Sequence, residues 1–277
     1  MMTYATLMVH LGVGRSNGPV LEVAATLAAR FGAGVIGIAA CHPLEMLYGD
    51  GFVAGDIVDV DRAEVDRQVG AAEAEFRDTL AKRAHILDWR SAVSFEPGSN
   101  YLAQEVRSAD LLLTGVEPPD SLLAHSSDLY LGDLVMQIGR PILVVPPAGK
   151  TAGLDRVLIG WKDSPETRRA ALDALPLLKK ASYVAVAEIA RDNELAAAEV
   201  RVGAVVSWLK RHGVDAEPIV RSAASDDSSS IDALAEEKQV NVVVAGAYGH
   251  SRLREWVLGG VTRDNLLRPR RCVLVSH

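Results

Sequence analysis

V-N-V-V-V-A-G-A-Y-G-H-S-R-L-R-E-W-V-L-G-G-V-T, residues 240–262, is the stretch on which the fold turns. It opens with an apolar run, 240–245, that reads as a buried strand. Glycines follow at Gly246 and Gly249, then at Gly259 and Gly260. They put backbone without side chains at the strand's end and again before an expected helix. Such backbone can hold a phosphate against N–H groups at a helix N-terminus. Tight turns and close helix packing account for the same glycines without any ligand.

Working outward, this strand has an earlier counterpart. A-D-L-L-L-T-G, ending at Gly115, matches V-N-V-V-V-A-G, ending at Gly246. The chain reads as one unit written twice. T-L-M-V-H at 6–10 is a strand candidate, followed by a glycine-rich turn, a helical pattern at 19–31 and a second strand at 34–40. V-L-I-G-W at 157–161 opens the same series, with a turn at 162–165, a helix through Leu178 and a strand at 183–189. Each half closes on one more strand, P-I-L-V-V at 141–145 and R-C-V-L-V at 271–275. Pairing Leu7 with Leu158 gives an offset of 151, and Gly115 with Gly246 an offset of 131. The first half then holds 20 extra residues (151 − 131), placed in the Gly- and Asp-rich stretch 41–61, which lacks a helical period and reads as an inserted loop.

P-P-A-G-K-T-A-G, 146–153, reads as a linker and sets the expected domains at 1–147 and 154–277. Its Gly149-Lys150-Thr151 imitates the end of a Walker A loop, but Val144 stands where the upstream glycine belongs. Short apolar strands alternating with amphipathic helices predict an α/β fold. Two similar domains are expected, each a five-stranded, mostly parallel sheet flanked by helices. Such sheets bind ligands beyond the carboxyl ends of strands, where strand order reverses. Gly246 follows such a carboxyl end.

Composition narrows the function. The 277 residues carry a net charge of −7, which argues against a general nucleic-acid binder. Cys41 and Cys272 lie far apart and imply no disulfide. No apolar run approaches the ~20 residues that cross a bilayer. A cytoplasmic protein without a membrane or nucleic-acid partner is expected. Gly12, Gly14 and Gly18 follow a strand, but their spacing is one residue longer than a dinucleotide loop. Cys41, His42 and His10 lack metal-ligand spacing, so no metal is expected. No nucleophile elbow or paired carboxylates occur, so no catalytic residues are expected. Ser230 reads as the N-cap of a helix at 231–238. Trp161, at a strand end, suits either a pocket wall or half-buried packing.

These residues resemble the universal stress protein family in its tandem form, over nearly the whole chain. The match is G-x2-G-x9-G with a following small residue: Gly246, Gly249, Gly259, Gly260. The resemblance implies a stress-response protein that binds ATP, with or without Mg, or a related adenine nucleotide, in its C-terminal half. Gly246, Gly249, Gly259, Gly260 and Thr262 would hold phosphates, with His250 beside the second glycine. Lys162 or Asp163 would lie near the nucleoside or its phosphates. Binding members carry Ser or Thr where Gly260 stands, and Thr262 offers a second hydroxyl. The lost donor is worth roughly 1–2 kcal/mol. Lys162 holds the place of an Asp near the adenosine, and a lysine cannot accept a hydrogen bond. In the first half Gly115 is followed by V-E-P-P, and Glu117 with two prolines opposes a triphosphate. Gly132, followed by Asp133, remains of the third glycine. The N-terminal half is therefore expected to be a non-binding partner that pairs with the other as a covalent pseudo-dimer, with further homodimerisation open. No enzymatic activity is expected beyond slow ATP hydrolysis. A nucleotide-free adaptor with both sites degenerate is the alternative.

Overall fold

The computed structural model describes residues 3–41, 55–93, 98–116, 131–147, 153–223, 227–247 and 270–277. Contacts divide the chain into two units, Tyr4–Ile138 and Gly139–His277. The fold is α/β, with sheets that are parallel but for one strand.

The first unit runs β1 (Thr6–His10), α1 (Gly18–Phe31), β2 (Gly34–Cys41), α2 (Gly55–Leu80), β3 (Leu87–Val93), α3 (Gly98–Glu105), β4 (Leu111–Gly115) and α4 (Leu131–Ile138). Its strands lie in the order β3-β2-β1-β4, all parallel. Leu7, Met8, Val9, Leu111, Leu112 and Leu113 are fully enclosed, since these strands are covered on both faces. Each such side chain contributes about 1.5–3 kcal/mol by leaving water. α1 starts with proline in its first turn and stops at Gly32, whose left-handed φ of 65° lets its N–H reach the Ala28 carbonyl.

The second unit contains β5 (Ile142–Val145), β6 (Arg156–Gly160), α5 (Pro165–Asp173), α6 (Leu175–Leu178), β7 (Tyr183–Ala190), α7 (Leu195–Arg211), β8 (Glu217–Ser222), α8 (Asp227–Glu237), β9 (Val242–Gly246) and β10 (Cys272–Ser276). Its strand order is β5-β10-β9-β6-β7-β8. All neighbours are parallel except β5, which runs antiparallel to β10 with Val144 opposite Val273. β5 is encoded in the first half of the repeat, yet it is counted with the second unit. Under α8, Leu158, Ala185, Ala187, Ile219, Ile231, Leu234 and Val243 form one core cluster.

The repeat extends to its braces. Asp110 accepts the N–H groups of Ala5 and Thr6 at 2.8 and 2.9 Å, and Asn241 accepts that of Arg156 at 3.0 Å. Each of these residues precedes its half's penultimate strand and ties it to the first. The pairing also corrects the sequence alignment. Leu7 lies opposite Leu111 and Val157 opposite Val242, so the first strands are offset by 150 (157 − 7) rather than 151. Leu7 therefore corresponds to Val157, not Leu158, and 19 residues (150 − 131) are extra.

Three further expectations change. Residues 55–61, read as loop, belong to α2, whose polar composition hides its helical period. The helix expected through Leu178 breaks into α5 and α6 at Ala174, just before Pro176, whose ring has no N–H for the helical ladder. Ser230 lies inside α8 rather than at its N-cap, because that helix begins at Asp227. Gly132 and Asp133 open α4. Gly149, Lys150, Thr151 and Glu117 lie outside the described residues.

Candidate functional site

In each sheet the first strand has its sequence successor on one side and its penultimate strand on the other. The order therefore reverses at β1/β4 and at β6/β9. The carboxyl ends of these pairs are where such sheets take ligands.

At β6/β9 both described strands end on glycine, Gly160 and Gly246. After Gly160 only residues 161–164 intervene before α5. Ser164 caps that helix, its Oγ accepting the Thr167 N–H at 3.3 Å, and Pro165 fixes the first turn. Gly246 ends β9 against the same turn. A Cβ on Gly246 would stand 2.4 Å from the Thr167 nitrogen and 2.6 Å from the Glu166 carbonyl carbon. Only glycine lets the strand end approach the start of α5 this closely.

The register builds a row across three strands. Ile159 lies opposite Val244, and Gly160 opposite Ala187. Two and one residues on, Trp161 is level with Gly246 on β9 and with Glu188 on β7. Alternation puts this row on the face opposite Leu158, Ala187 and Val243, which pack under α8. The Trp161 N–H donates to the Ala187 carbonyl at 2.7 Å, so the ladder continues past β6. The residue is 9% exposed, and its Nε1 has no hydrogen-bond partner among the described residues. Glu188 is also buried and accepts from the Arg201 Nε of α7 at 3.1 and 3.3 Å. That hydrogen bond, opposed by burial and aided by the Glu188 charge, raises the Arg201 pKa.

Of the expected site residues, Lys162 and Asp163 sit on this turn and both are exposed. The Asp163 carboxylate is engaged by Arg168 at 2.6 Å. Gly246 is placed as described. Gly249, His250, Gly259, Gly260 and Thr262 lie outside the described residues. Among the described residues no group of three His, Cys, Asp or Glu is arranged to hold a metal. Cys41 and Cys272 are free and buried, and burial pushes their thiols up to about 11 and about 12.

The β1/β4 end carries larger side chains instead. His10 and Thr114, at the last paired positions, are buried and hydrogen-bonded at 3.1 Å, with Nδ1 facing Oγ1. Burial, reinforced by the charge of Arg15, lowers the His10 pKa to about 3. Gly160 and Ala245 take the corresponding positions in the second unit. Asn17 closes the following turn, accepting the Gly12 N–H at 2.8 Å and donating to the Gly12 carbonyl at 3.0 Å. The Arg15 guanidinium covers Gly12, where a Cβ would meet Nε at 1.6 Å. Glu75 of α2 brings a carboxylate to the start of α1, accepting the Asn17 N–H at 3.1 Å and its side-chain amide at 3.2 Å. The turn itself, L-G-V-G-R-S-N-G at 11–18, holds no acid; the carboxylate comes from α2, and nothing in the charged α2 pattern marks it out. Glu188 does leave a signal, as the lone acid in Y-V-A-V-A-E-I-A.

The two reversals therefore share a backbone plan and differ in what occupies them. That plan, parallel sheets with helices and a reversal beside the first strand of each, defines a doubled Rossmann-like α/β protein. No family model and no curated protein matches the chain. Solved structures do match. A universal stress protein from Archaeoglobus fulgidus superposes with a TM-score of 0.70 at 13% identity, covering 98% of this chain and 95% of that one. A functionally unknown protein from Pseudomonas aeruginosa gives 0.61 at 14% identity, covering 99% and 92%. The chain has the fold of the universal stress proteins. No helix among the described residues is long and apolar enough to cross a membrane.

Proposed function

We propose that the second unit binds an adenine nucleotide, such as ATP with or without Mg, at the carboxyl ends of β6 and β9. The first unit binds none. The observation that carries this reading is the side-chain-free strand end at Gly246, held against the first turn of α5 at a strand-order reversal. Helix starts and bare backbone favour phosphate oxygens. Lys162 adds an exposed cation on the same turn. The glycines that continue the string at 249, 259 and 260 supply further backbone donors in this reading. In the first unit His10 and Thr114 take the strand-end positions that Gly160 and Ala245 hold in the second, so larger side chains stand there. The role is that of a cytoplasmic stress-response binding protein, and no reaction is assigned to it.

Calorimetric titration of the full chain with Mg-ATP tests the reading. One site per chain is expected, abolished by Gly249→Glu. Absence of heat at high micromolar ATP, with no nucleotide released from protein purified under mild conditions, would replace it with the nucleotide-free adaptor.

A further inference from the structure

We propose that the indole N–H of Trp161 is a ligand-binding donor, which hydrogen-bonds an acceptor atom of the molecule held at the β6/β9 carboxyl end. The inference rests on the nucleotide reading above and adds a specificity-determining residue to it.

The indole nitrogen is enclosed, yet no described residue accepts its proton. A buried donor left unpaired is costly, and native structures rarely leave one so without a use. Two acceptors placed near it are engaged by other residues. Glu188, level with Trp161 on β7, is held by Arg201. Asp163, two residues on, is held by Arg168. On the other side, Gly246 has no side chain to offer. The donor thus lies in a row whose β9 member is bare backbone against the start of α5. In the first unit the residue at this position is Leu11, by the same ladder bond: its N–H donates to Ile38 as that of Trp161 does to Ala187. Leucine has no donor, and that is the unit whose reversal carries larger side chains.

An indole only donates. The group it meets must therefore be an acceptor: a base nitrogen or carbonyl, a ribose oxygen, or a phosphate oxygen. An apolar or ammonium group at this point leaves the N–H unpaired, so Trp161 discriminates against ligands that present one.

The test uses the full chain labelled with nitrogen-15, with the four indole N–H signals assigned through the backbone. Saturating Mg-ATP should move the Trp161 indole proton downfield, and Trp161→Phe should weaken ATP binding about tenfold in calorimetry while leaving the melting temperature in place. Inorganic triphosphate separates the acceptors: if it reproduces the shift the partner is phosphate, and if only ATP does the partner is on the nucleoside. ATP binding with an unmoved Trp161 signal and an unchanged Kd for Trp161→Phe overturns this inference and leaves the nucleotide reading standing. No ATP binding to the wild-type chain overturns both. Should Trp161→Phe fail to fold, the signal of the unaltered chain decides alone.

Discussion

Acidification should loosen the first unit through His10. Its imidazole is buried against Thr114, and its pKa is lowered from 6.5 to about 3. In the unfolded chain the ring takes a proton near pH 6.5; in the native unit it does not until about pH 3. Protons therefore bind the unfolded state preferentially between those values. The stability tied to neutral His10 is whole above pH 6.5 and is lost as pH falls toward 3. Each pH unit below 6.5 costs about 1.4 kcal/mol, so pH 5 should cost the first unit about 2 kcal/mol relative to pH 7.5. Hydrogen-exchange mass spectrometry of the peptide spanning β1, corrected for intrinsic exchange, measures that loss directly. His10→Gln keeps a hydrogen-bonding side chain beside Thr114 and removes the titration. Carboxylates elsewhere act alike in both proteins, so the difference between their pH dependences isolates His10. Equal loss of protection at pH 5 in wild type and His10→Gln would refute the reasoning.

Gly246→Ala forces a Cβ within 2.4 Å of α5 backbone and should cost about 1–3 kcal/mol, whereas Gly115→Ala, with nothing within 4 Å, should cost far less; calorimetric melting compares them. Arg201→Met strands the buried Glu188 carboxylate and should destabilise by roughly 3 kcal/mol, less where water reaches the Arg201 side chain, which is 33% exposed. Adding Glu188→Gln should recover most of that loss in urea unfolding, and no recovery would show that the pair is not what matters.

The strands were legible because parallel strands covered on both faces must be apolar throughout. L-L-L-T-G, V-V-V-A-G and T-L-M-V-H announce themselves for that reason. β3 and β8 were not located, since they lie at sheet edges and carry the mixed patterns L-D-W-R-S-A-V and E-P-I-V-R-S. The one-residue slip in the repeat arose because Leu7 was matched to a leucine, whereas register is set by backbone hydrogen bonds that any side chain permits. At the site, Gly246, Lys162 and Asp163 were readable as local features. The engagement of Asp163 by Arg168 was not, because it depends on how the first turn of α5 winds. Glu75 stands 58 residues from Asn17, a separation that no local pattern spans. The empty hydrogen-bonding capacity of Trp161 is likewise visible only when the groups around it are placed.

The antiparallel β5–β10 pair has a bearing on synthesis. From Val145 to Cys272 the ribosome must add 127 residues (272 − 145) before β5 can meet this partner. At about 5–20 residues per second that is a wait on the order of ten seconds. The sheet of the second unit therefore closes late, by an encounter between an old segment and a new one. A gene cut at the proline-rich stretch 146–153 would make a C-terminal fragment that lacks β5 and bares the flank of β10, a ready template for aggregation. A fragment meant to fold alone should begin before Gly139.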